Sequence, residues 1–149
     1  MSLIETFLMK AGTLEPKRGF GKILFHIQET RSHEDARQRL DQFCSSLGLN
    51  VLGMGWEEVS RDFAIEHLAD LLQQGMAYNV KIMDAQEAQD LAVGLVSLFD
   101  ASTLWFSNVS EAGASLKSGW NPLTSATFDS GIALVTPDHV AIIWFEDED

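Results

Sequence analysis

Apolar residues recur along this chain at helical spacing in some stretches and in unbroken or alternating runs in others, and the changes of period divide it into elements. Leu3, Phe7 and Leu8 share one side of a helix over Ser2–Lys10, with Gly12 as its stop. Thr13–Gly21 (TLEPKRGFG) reads as a loop, and Ile23–Gln28 (ILFHIQ) as a strand. Ser32 followed by Asp35 has the S-x-x-D form of a capping signal, and Leu40, Phe43, Cys44 and Leu47 follow at helical spacing until Gly48. Asn50–Met54 is a short extended segment that runs into the turn Gly53-Met54-Gly55-Trp56. Ser60 caps a helix carrying Phe63, Ala64, Leu68, Leu71 and Leu72, with Gly75 after it. Tyr78–Met83 reads as a strand. Asp84 and Glu87 then open a helix over Ala85–Phe99 that aligns Leu91, Leu95 and Leu98. Thr103–Ser107 is a further strand, and Asn108–Ser125 is the longest polar, glycine-containing stretch.

The chain from Phe128 onward is a β-hairpin by pattern. Ile132–Val135 and Val140–Phe145 are joined across Thr136-Pro137-Asp138-His139, where proline pre-sets φ and the aspartate side chain bonds its own backbone. Val140–Phe145 contains no polar residue, so it belongs in the middle of a sheet, covered on both faces. These elements predict one α+β domain over residues 1–149: a mostly antiparallel sheet with about four helices packed on one face of it.

A chain of 149 residues with 46% apolar content supports a packed core rather than disorder. Met1–Ala11 lacks a charged leader region and a cleavage site, and no run of eighteen apolar residues occurs, so the cytoplasm is the expected compartment. Charge changes the picture more. Ten bases stand against 22 acids, a net −12, and the excess is lopsided: Lys117 is the one base after Lys81, against 11 acids. Such a field repels nucleic acid and anionic membranes and speeds encounter with a cationic partner. Its plainer use is solubility.

No stretch carries an established catalytic signature. His26, His33, His67 and His139 lack metal-ligand spacing, and Cys44, on an apolar helix face, reads as a small buried thiol. No G-x-S-x-G elbow marks a nucleophile, and the glycines around Met54 lack the third glycine of a dinucleotide fingerprint. The pairs Glu34-Asp35 and Glu57-Glu58 are sequence neighbours that point apart, and Asn108-Val109-Ser110 is a glycosylation sequon without secretory context. Lys17, Arg18 and Lys22 form the tightest basic cluster; it reads as a solvated turn or an internal ion pair before it reads as a phosphate site. Trp56 and Trp120 lie in polar, glycine-containing segments. Each either folds back over the core edge or anchors a partner. No cofactor, metal or catalytic residue is therefore expected.

The acidic C-terminal half, the all-apolar VAIIWF strand ending in EDED and the absence of catalytic motifs resemble the small cytosolic immunity proteins of bacterial toxin–immunity systems, including those of contact-dependent inhibition. The likeness is one of type and rests on about Trp120 to Asp149. It implies a non-enzymatic inhibitor, monomeric or homodimeric, that covers the active site of a cognate cationic toxin of nuclease type and binds neither nucleic acid nor membrane. The expected contact residues are Trp120 as an anchor, with Asp129, Asp138, Glu146, Asp147, Glu148 and Asp149 supplying charge. Two other readings stay open: an acidic secretion chaperone for an effector protein, and an enzyme whose site assembles only in three dimensions.

Overall fold

Val140–Phe145 form the middle of strand β5 (His139–Asp147), and all six side chains are buried. Their alternation divides the interior. Ala141, Ile143 and Phe145 enter one core, and Val140, Ile142 and Trp144 enter another on the opposite face of the sheet. The structure, a computed structural model, describes residues 1–76, 83–111 and 121–148. Within them β5 is hydrogen-bonded on both sides, to β1 (Lys22–Glu29) and to its hairpin partner β4 (Phe128–Val135). The short strands β3 (Leu104–Ser107) and β2 (Glu57–Val59) complete a five-stranded sheet in the order β1-β5-β4-β3-β2, antiparallel at every junction.

Two apolar faces need two covers. One is formed by α1 (Leu3–Gly12), α4 (Arg61–Gln73) and α5 (Ala85–Val96), which bring Phe7, Leu68, Leu72, Ala92 and Leu95 against Ile132, Leu134 and Ile143. The other is formed by α3 (Ala36–Ser46), whose Leu40, Phe43 and Cys44 pack with Trp56, Leu123 and Trp144. The fold is α+β as expected, but its helices lie on both faces of the sheet. An all-apolar strand between two neighbours leaves no face for water, so the one-face arrangement fails on the same ground that made β5 central.

Side-chain caps set the helix starts. Ser2, Asp35, Ser60 and Asp84 each accept N–H bonds from the first turn that follows. The cap of α3 is Asp35 itself, one turn later than the Ser32 signal indicated. Thr13–Gly21 is not all loop: Leu14–Arg18 form a short helix, α2. Leu14 is buried, Glu15 sits at its positive end, Lys17 and Arg18 at its negative end, and Gly19 closes it at φ 72°. The α5 helix stops at Val96, before the expected Phe99, because Leu98 and Phe99 fold into tight turns onto Leu95 and Val96. The expected strand Tyr78–Met83 lies, apart from the buried Met83, outside the described residues. Among the described residues no helix is long and apolar enough to cross a membrane.

Candidate functional site

The expected contact residues do not come together. Asp129 is fully buried, its Oδ2 accepting the N–H groups of Leu123 and Thr124 at 2.9 and 2.5 Å. Asp147 is also fully buried. It forms a bidentate pair with Arg18 at 2.7 and 2.8 Å and accepts the Met76 N–H at 2.7 Å. Both are corrections: these carboxylates terminate backbone and guanidinium donors inside the protein and present no charge to a partner. Asp138 is exposed on the β4–β5 turn in a surface pair with Arg31, whereas Glu146 and Glu148 sit at the other end of β5 beside Phe20, Gly21 and Lys22. Eight residues of extended chain, roughly 25 Å, separate the two ends. Trp120 and Asp149 lie outside the described residues.

The basic cluster resolves as an internal ion pair. Arg18 uses every N–H of its guanidinium: Nε to Leu71 O, Nη1 to Phe20 O and Asp147, Nη2 to Gln74 O and Asp147. It ties α2, the end of α4 and the end of β5 together, and lies 5.0 Å from the Phe145 ring.

One constellation of catalytic type does form. His67 on α4, Ser130 on β4 and Asn108 after β3 are all buried, with His67 Nε2 2.8 Å from Ser130 Oγ and Ser130 Oγ 2.7 Å from Asn108 Oδ1. Its donors run the wrong way for nucleophilic chemistry. Asn108 Nδ2 donates to two carbonyls, Asn121 O and Asp129 O, so its Oδ1 faces Ser130 and must accept the hydroxyl proton. His67 Nε2 therefore carries hydrogen and donates to the serine oxygen. Burial lowers the His67 pKa to about 4, which keeps the ring neutral, and Phe63 stacks on it. The triad is a satisfied polar crosslink between α4 and the sheet. The same bonds consume the amide of the Asn108 sequon. Cys44 is as inert as its helix face implied: burial, and then the nearby Asp41 charge, push its thiol up to about 12. No three His, Cys, Asp or Glu side chains converge at metal distance among the described residues.

The surface feature with most construction behind it is the turn that follows α3. Gly53-Met54-Gly55 form one 3-10 turn, with Gly53 at φ 53° and Asn121 so close to Gly55 that a Cβ there would lie 2.4 Å from its amide nitrogen. Asp41, reaching from α3, accepts the Leu52 and Gly53 N–H groups and the Trp56 Nε1–H at 2.9 Å. Asn50 bonds the carbonyls of Leu123 and Pro122. Trp56, one of the two loop tryptophans, is fully buried edge-on against Trp144. All this fixes a turn whose central side chain, Met54, is 84% exposed.

Beside Met54 runs an open cleft of about 480 Å³ between the start of α3 and the β2–β3 edge of the sheet. Phe106 is its floor, Leu104 an exposed apolar wall, and Asp35, Asp41 and Glu58 its carboxylates. Glu58 stands opposite Phe106 in the β2–β3 register, and its carboxylate has no hydrogen-bond or ion-pair partner among the described residues. Arg37 lies 5.4 Å from the centre of the Phe106 ring, with its Nε held by Trp56 O. In the sequence the glycines mark only a turn and Glu57-Glu58 are adjacent acids that point apart, so nothing there joins Glu58 to Met54. The available signal was an apolar residue between two turn glycines. No family model, curated protein or solved structure matches the chain, so the reading of this site rests on its own geometry.

Proposed function

We propose that the protein is a non-catalytic, cytoplasmic binding protein for a cationic protein partner and, in its narrower form, an immunity-type inhibitor that covers the active site of a nuclease-type toxin. The observation that carries this reading is Met54: an apolar side chain held out in solvent by a turn with several fixing bonds, beside exposed Leu104 and Glu58, whose carboxylate has no partner among the described residues. Interfaces gain affinity from rigid apolar anchors that lose little freedom on binding, and methionine suits an irregular complementary surface. The net charge of −12 supports a basic partner by raising the rate of encounter and opposing binding to nucleic acid. The internal direction of the His67–Ser130–Asn108 hydrogen bonds favours a binder over a serine-nucleophile enzyme.

The test is co-expression with the product of the adjacent gene, followed by purification and a binding assay across a salt series. The reading requires a one-to-one complex, association that slows with salt, and relief of a toxic activity. A stable dimer that holds an unfolded effector segment without salt dependence would replace it with the secretion-chaperone reading.

A further inference from the structure

We infer that the cleft beside Met54 seats a single arginine side chain of the partner, flanked by apolar residues that cover Met54 and Leu104; this deepens, and rests on, the binding-protein reading above. Three features of the cleft define that occupant. Its floor is Phe106, a ring only 1% exposed with the Arg37 guanidinium already 5.4 Å from its centre, so the occupant's charge has to be met at the walls. Its walls hold three carboxylates against the one guanidinium of Arg37, and they are not equivalent. Asp41 is occupied by the turn, Asp35 has given Oδ1 to the Gln38 N–H, and the Glu58 carboxylate is uncommitted among the described residues. Among the described residues no carboxylate approaches Arg37 within ion-pair distance, and its Nε is turned to Trp56 O. The negative charge of the cleft is thus left unneutralised by the described residues. Its rim is apolar at Met54 and Leu104, both exposed, so a lone small cation would leave that surface in water whereas an arginine on an apolar segment would cover it.

Methionine-methyl NMR on the full chain tests this without knowledge of the partner, with a capped leucine–arginine–leucine tripeptide as probe. The five methionines include Met54 and, on α1, Met9, which is 52% exposed and serves as an internal control. The tripeptide is expected to shift the Met54 methyl with a Kd of about 1 mM and to leave Met9 in place. Exchange of arginine for neutral citrulline, or the substitution Glu58→Lys, should weaken this tenfold or more. A stationary Met54 methyl, equal shifts at Met54 and Met9, or equal binding of the citrulline peptide would each overturn the proposal. The complex with the adjacent gene product separates the two levels. If that product binds wild type and Met54→Asp equally, the cleft is wrong and the binding function stands. If it does not bind at all while the tripeptide shifts Met54, the inhibitor reading falls and the arginine seat stands.

Discussion

Asp147 sits among four consecutive acids, and nothing in that run separates it from its neighbours, yet it alone of the described members is buried against a guanidinium 129 residues away. A buried pair is costly to break from one side, because the survivor keeps its charge and loses its partner. Asp147→Ala is therefore expected to destabilise the protein by about 3–5 kcal/mol in denaturant titration. Glu148→Ala, which frees only a surface contact with Thr127, should cost less than about 1 kcal/mol. His67 sets an acid limit. Its folded pKa of about 4 lies below the ordinary 6.5, so the unfolded chain takes up a proton that the folded protein refuses. Its contribution is complete above about pH 6.5 and is lost as pH falls from there to about 4, amounting to about 3 kcal/mol over the interval. In His67→Gln the fall in stability between those two pH values should be shallower by that amount, measured by urea unfolding at a series of pH values.

At the scale of elements, the caps of α4 and α5, the hairpin and the central place of β5 were legible, because each is written in local chemistry: an oxygen before a helix, a proline in a turn, six apolar residues without interruption. The α2 helix was not, since five residues hold too little period to show, although Glu15, Arg18 and Gly19 mark its ends. The candidate site was least legible. Met54, Glu58, Leu104 and Asp35 come from four separate segments, and the carboxylate that shapes their turn, Asp41, lies on the preceding helix. Total charge pointed to the C-terminal half, where Asp129 and Asp147 are inside. Net charge counts residues without regard to burial. Because the turn depends on Gly53, Gly53→Ala should cost about 1–2 kcal/mol in thermal or chemical unfolding. It should leave the far-ultraviolet circular dichroism unchanged and broaden the Met54 methyl resonance, as the turn loses its one conformation.

For the whole molecule, charge acts at two ranges. The net −12 works at a distance and is screened within about 8 Å at physiological salt, while Glu58 works in contact. With a basic partner, reversing Glu146 and Glu148 together is expected to lower the association rate only a few-fold and leave dissociation unchanged. Reversing Glu58 should speed dissociation tenfold or more. Rates measured at two salt concentrations distinguish the two ranges.

The position of β5 has a consequence for how the protein is made. It is the last of the five strands to leave the ribosome, and it lies between β1 and β4. Until it arrives, β1 has no neighbour among the described strands with which to pair, and the apolar side chains of β4 lack half their sheet. Joining β1 to β5 closes a loop of more than a hundred residues, a long-range contact that slows folding. A nascent chain that still lacks β5 therefore carries open strand edges, the state in which aggregation competes with folding.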